Sequence, residues 1–188
     1  MKRFPLRLGA LALAAGFSMA FLLGNAGAQS SRPYAGMQAR TIKALSPEQI
    51  ADLKAGRGMS LALPAELNGY PGLRHVLEFA EQLGLTDQQR ADVQRLFDDM
   101  TTEAIPLGEK LIAQEAELDR LFAARVVTPS GLGSATAAIG ATQAELRNAH
   151  LKYHLLTSGL LTAAQMQRYS QLRGYIDEDS GTQHGPNH

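Results

Sequence analysis

The sequence predicts an all-α fold of bent, antiparallel helical hairpins built from four main helices. Three observations carry this. Apolar residues recur at steps of three and four through most of residues 73–176, the period of a helix with one buried face. The phrase Leu-Thr-x-x-Gln occurs twice, as Leu85-Thr86-Asp87-Gln88-Gln89 and as Leu161-Thr162-Ala163-Ala164-Gln165. Each copy stands between two amphipathic stretches. Its threonine suits a helix N-cap, and the glutamine three positions on can bond back to the N–H of the cap. No run alternates with the period of a strand.

The elements follow in order. Lys2, Arg3 and Arg7 precede the apolar run Leu8–Leu23 and the small-residue segment Ala26-Gly27-Ala28, so residues 1–28 are expected to be a cleaved secretory signal. Residues 29–72 form an N-terminal arm. Its first part, 29–44, has weak periodicity and reads as extended. Ser46-Pro47-Glu48-Gln49 opens a short helix with a cap, a proline at the first helical position and a glutamine at the third. That helix ends near Gly56. Met59 to Leu67 suits an apolar turn or short helix, and Asn68-Gly69-Tyr70-Pro71-Gly72 breaks the chain.

The hairpin domain is expected at 73–176. Leu73, Val76, Leu77, Ala80 and Leu83 make the first stripe, which Gly84 stops. After the first Leu-Thr corner a long stripe runs from Val93 to Phe122 and passes Pro106 in phase, so a kink is expected there rather than an end. Thr128-Pro129 opens the next helix, whose stripe runs from Leu132 to Leu160. Gly131, Gly133 and Gly140 either weaken it or admit a close neighbour. The second Leu-Thr corner opens the last helix, with Met166, Tyr169, Leu172 and Ile176 on its apolar face. Residues 177–188 are polar and expected to be disordered.

Composition narrows the function. The 188 residues include no cysteine, which removes thiolate metal sites, disulfides and cysteine nucleophiles. All 18 acidic residues lie after residue 28, and three of the 18 basic ones lie before it, so the secreted chain carries a net charge of −3. Nucleic acid is therefore not an expected partner. No second apolar run is long enough to span a membrane. No nucleophile elbow is present, and Gly131-Leu132-Gly133-Ser134 follows no strand, so it does not suggest a phosphate loop.

Two Leu-Thr-x-x-Gln corners behind a signal segment, followed by Arg90-Ala91-Asp92-Val93 and Met166-Gln167-Arg168-Tyr169, resemble the Spy/CpxP family of bacterial periplasmic stress proteins. The resemblance covers about residues 70–176 and leaves 34–72 without a counterpart. It implies a periplasmic, non-enzymatic protein and a cradle-like antiparallel homodimer. Members of that family are ATP-independent chaperones for unfolded protein, metal-binding proteins of metal stress, or partners of a sensor kinase. The chain is accordingly expected to have no catalytic residues and no organic cofactor.

Five histidines bear on the choice. His184 and His188 lie in the tail. His150 and His154 stand four apart, which puts both imidazoles on one helix face about 6 Å apart. His75 lies ten residues before Leu85, and His150 and His154 lie eleven and seven before Leu161. If both corners occupy one end of the bundle, these three stand about 15, 16 and 10 Å from it at the helical rise. Counted forward from Leu85, Asp98 and Asp99 reach a similar depth, and Glu78 lies one turn from His75. The expected metal ligands are therefore His75, Glu78, Asp98, His150 and His154, a donor set suited to Zn²⁺, Ni²⁺, Co²⁺ or Cu²⁺. The nickel- and cobalt-sensing relatives also carry ligands on the first hairpin helix and near the end of the third. They have a second histidine on the first helix, where this chain has only His75, and a methionine near the second corner, where this chain has the His150–His154 pair.

Overall fold

Four caps that the sequence marks open the four longest helices. The computed structural model describes residues 34–177; the expected signal segment, and residues 178–188 with His184 and His188, lie outside the described residues. The order is α1 (Pro47–Lys54), α2 (Leu63–Glu66), α3 (Leu73–Glu78), α4 (Asp87–Ala123), α5 (Pro129–Leu160) and α6 (Ala163–Leu172). The fold is all-α, with no strand among the described residues. Ser46, Thr86 and Thr162 each form a complete capping box with Gln49, Gln89 and Gln165, which open α1, α4 and α6. Thr128 caps α5 by accepting from the Gly131 N–H at 3.1 Å. α4 continues through Pro106 without a break.

Two expectations change in detail. The stripe Leu73, Val76, Ala80 and Leu83 is buried as expected. The helix itself stops at Glu78, and residues 79–84 continue as tight turns that close on Gly84. There the Leu85 N–H reaches back to the Ala80 carbonyl at 3.0 Å while Gly84 takes φ +60°. Residues 34–45 are not extended. They form successive turns, with Met37–Ala39 as a 3-10 turn, and bury Ile42 to 5% exposure.

α4 ends in the same way as the Gly84 segment, with the Val126 N–H bonded to the Leu121 carbonyl at 3.1 Å. Here Arg125 occupies the left-handed position, at φ +56°. An L-residue with a Cβ is strained there by about 1–2 kcal/mol. Arg125→Gly is therefore expected to stabilise the protein by about 0.5–1 kcal/mol, once the flexibility that glycine adds to the unfolded chain is subtracted. Urea unfolding of the variant and its parent measures this.

α4 and α5 form the central antiparallel pair. Tyr153 Oη donates to Glu103 at 3.3 Å, and Lys110 meets Glu145 at 3.4 Å farther along. α1 and α3 pack on α4, and α2 packs on α5. The two Leu-Thr corners meet at one end. Gln89 and Gln165 each accept from their own cap N–H, and each donates its amide to the other's carbonyl oxygen, at 2.9 and 3.0 Å. Gln89 also donates to the Leu160 carbonyl at 2.9 Å. The residues that cap the helices thus also bind the corners together.

Two apolar clusters hold the pair. One, near the corners, contains Val76, Leu83, Val93, Leu161 and Tyr169. The other lies farther along, where Leu53 of α1 packs among Ala104, Leu111, Ile139 and Leu146. Leu53 and Val93 are almost wholly removed from water. A cavity touches both clusters, lined by Leu73, Phe97 and Met100 of the first and Met59 of the second.

Candidate functional site

The cavity has a volume of about 300 Å³ and gathers side chains from the arm and from α3, α4 and α5. His75, His150 and His154 all line it. The depth estimate from the two corners therefore holds: histidines about 75 residues apart in sequence share one space because the corners lie side by side. Leu73, Phe97 and Met100 supply apolar wall.

Each histidine is held differently. His75 Nδ1 faces Glu78 Oε2 at 2.8 Å. His154 Nδ1 faces the Tyr70 carbonyl at 2.8 Å. A carbonyl only accepts, so Nδ1 of His154 carries the proton and a neutral ring keeps its lone pair on Nε2. The Glu78 carboxylate imposes the same tautomer on His75, and that hydrogen bond holds the Glu78 carboxyl below its ordinary range. Metal-binding histidines commonly present one nitrogen while the other is fixed in this way. His150 is 4% exposed, and its Nε2 is buried with no hydrogen-bond partner. Its ring lies against Gly58, where a Cβ would stand 3.2 Å from Nδ1.

The carboxylates expected beside them are placed otherwise. Glu78 is half exposed, is shared between His75 and Arg74, and does not line the cavity. Asp98 and Asp99 are exposed, and Asp98 accepts from Gln94 at 2.9 Å. Phe97, Met100 and Thr101 take the inward side of α4 at this level, so at 100° per residue Asp98 falls on the outer side. Among the described residues, no three His, Asp or Glu side chains stand close enough together to share an ion.

The carboxylate that does line the cavity is Glu66, at the end of α2 and 7% exposed. Its Oε1 accepts from Tyr169 Oη at 2.6 Å, Tyr175 Oη at 2.9 Å and Arg173 Nε at 3.1 Å. Oε2 lies 3.8 Å from His154 Nδ1. Tyr169 Oη in turn accepts from the Gly72 N–H at 3.2 Å. Burial and the bond to Glu66 push the Tyr169 phenol well above its ordinary range, so it stays a donor. The only trace of Glu66 in the sequence is a carboxylate inside the apolar run Leu63-Pro64-Ala65-Glu66-Leu67.

Burial, and next the neighbouring His154, push the His150 imidazole below its ordinary pKa, against a smaller opposing pull from Glu103. The folded state therefore resists a proton that the unfolded chain accepts near pH 6.5. Stability from this group is complete above that pH and is lost as pH falls through it toward the lower folded value. Unfolding midpoints of the metal-free protein between pH 7.5 and 5 are expected to fall with pH, and His150→Gln is expected to flatten that slope.

No family model matches the chain, and no curated protein or solved structure matches it. No helix among the described residues is long and apolar enough to cross a membrane.

Proposed function

We propose that this chain is a non-enzymatic periplasmic stress protein of the Spy/CpxP kind that binds a divalent transition-metal ion in the cavity between α3 and α5. The observation that carries this is the meeting of His75, His150 and His154 in one cavity. Two of the three have Nδ1 tied to an acceptor and Nε2 left as the lone-pair nitrogen. Imidazole nitrogens with a carboxylate suit Zn²⁺, Ni²⁺, Co²⁺ and Cu²⁺ at metal–nitrogen distances of about 2.0–2.1 Å. Ligation by all three rings requires side-chain rotation, since the groups do not converge as they stand. Calorimetric titration with Zn²⁺, Ni²⁺ and Cu²⁺ tests this. Saturable binding that His150→Ala with His154→Ala removes is expected. Absence of binding, or binding indifferent to those substitutions, would sink the proposal.

A second reading, an ATP-independent holdase for unfolded protein, is favoured by exposed apolar side chains on the arm and α5: Leu63, Leu67, Tyr70, Leu155 and Leu156. Suppression of aggregation of an unfolded client, lost on changing Leu155 and Leu156 to serine, tests it. Exposed Phe122, Val126 and Leu132 at the α4–α5 corner are compatible with the proposed homodimer or with docking on a sensor domain.

A further inference from the structure

We propose that α1 is a displaceable cover: at rest it fills a groove on the α4–α5 pair, and the groove's outside ligand is an aliphatic segment of an unfolded polypeptide. This rests on the chaperone reading above. It adds to that reading a second client surface, its resting occupant and the way it opens.

The two apolar clusters are built differently. Near the corners, α3, α4, α5 and α6 all contribute, through Val76, Val93, Tyr153 and Tyr169. Farther along, the hairpin supplies the buried residues Ala104 and Leu111 of α4 and Ile139 and Leu146 of α5. Among the described residues, the members of this cluster from outside the pair are Leu45, Leu53, Met59 and Leu61, all of the arm. Leu53 is inserted most deeply, at 1% exposure. With α1 away, two helices would turn an aliphatic face to water, and covering it again is favourable in proportion to its area.

α1 shows what the groove accepts. It has eight residues, and an isolated helix shorter than about 12 residues is marginal in water, so the groove maintains it. Gly108 lets the Leu53 main chain lie directly on α4, and Gly56 lies against Thr101, Ala104 and Ile105 of the same helix. The groove thus receives a leucine side chain and closely approaching main chain. An unfolded chain carrying a leucine offers both, whatever the surrounding sequence.

The cover is fastened unevenly. Beyond it, α2 is tied by Glu66, which accepts from Tyr169 at 2.6 Å and Arg173 at 3.1 Å, and by the Tyr70 carbonyl, 2.8 Å from His154 Nδ1. Before it, Lys43 meets Asp119 at 3.2 Å in an exposed pair that contributes little. Between α1 and α2, Gly56, Met59 and Ser60 take φ of +63°, +39° and +70°. The last two are strained for residues with a Cβ, and lifting α1 relieves them. Residues 56–60 therefore serve as a hinge on which α1 leaves while α2 stays. A client segment that takes the groove shifts the chain toward this lifted state.

Aggregation assays with an unfolded client and the purified full chain, with hydrogen exchange read on the same samples, test this. Leu53→Ser removes the anchor and leaves the α4 and α5 walls intact. It is expected to free α1 to exchange and to suppress aggregation several-fold more strongly than the parent. A synthetic peptide of residues 42–57 is expected to bind Leu53→Ser and cancel that gain, at a concentration that leaves the parent unaffected. Adding Gly108→Ala, whose Cβ blocks the groove, is expected to make the peptide ineffective. Unchanged suppression with α1 free, a gain that the peptide does not cancel, or α1 still protected in Leu53→Ser overturns the cover and leaves the chaperone reading intact where the parent suppresses aggregation. Pairing of Leu53→Ser with a second copy in place of the client also overturns it. Absence of suppression by parent and variant overturns both. Should Leu53→Ser lose protection throughout α4 and α5, the milder Leu53→Ala decides by the same readings.

Discussion

Glu66→Ala is expected to cost about 3 kcal/mol of unfolding free energy, the low end of the range for removing one partner of a buried ion pair. The carboxylate accepts from Arg173 Nε, Tyr169 Oη and Tyr175 Oη together. Deleting it leaves the phenol of Tyr169, a residue 1% exposed, with a proton and no other acceptor among the described residues. An unsatisfied buried donor costs about 1–3 kcal/mol. Arg173 is 28% exposed on its side chain and keeps Tyr175 as a partner, so its charge recovers part of its solvation and the total stays near the lower bound. In a chain of this length the loss corresponds to a melting-point drop of about 6–12 °C. Glu66→Gln keeps an oxygen acceptor and is expected to lose less. Tyr169→Phe alone is expected to cost about 1–3 kcal/mol. Combined with Glu66→Ala, it is expected to cost markedly less than the sum, because the two substitutions remove one shared bond. Strict additivity in that double-mutant cycle would show that the network does not act as a unit.

The same network marks where the sequence stops being legible. Helix starts are local chemistry: a threonine with a glutamine three residues on, or with a proline directly after it, identifies itself, and Thr86, Thr162 and Thr128 cap where these signals say. The common depth of His75, His150 and His154 is semi-local, since it needs only the helical rise and the side-by-side corners that Gln89 and Gln165 tie together. Glu66 is a different case. It reaches Tyr169, Arg173 and Tyr175 across about 100 residues, from an arm with no periodic signal to place it. Asp98 shows the converse error. Depth along a helix was right, but rotation about its axis was undetermined, and Phe97 and Met100 won the inward positions because burying them gains more than burying a carboxylate.

Gly108→Ala is expected to destabilise the protein by about 2–3 kcal/mol, although alanine is the better helix former by about 1 kcal/mol. Gly108 is buried in the middle of α4 where α1 crosses it. A Cβ there would collide with the Leu53 carbonyl oxygen and stand 2.9 Å from its carbon and 3.2 Å from its Cα. These are backbone atoms, so no rotamer change relieves the clash, and α1 must lift. Lifting α1 withdraws Leu53, 1% exposed, from its cluster, a loss of about 1.5–3 kcal/mol by itself. Once α1 has left, a larger side chain has nothing more to displace. Gly108→Val and Gly108→Leu are therefore expected to cost little more than alanine beyond their own helix propensities. Hydrogen exchange should show α1 unprotected in all three while α4 and α5 remain protected. Gly140 of α5 is the control, because among the described residues no atom lies within 4 Å of where its Cβ would be. Gly140→Ala is expected to stabilise the protein by about 0.5–1 kcal/mol through helix propensity alone. The sequence singles out Gly131, Gly133 and Gly140 as weak points or close approaches and passes over Gly108. Opposite signs for alanine at 108 and 140 would establish that the close approach belongs to α4 and that the arm is held there by backbone contact.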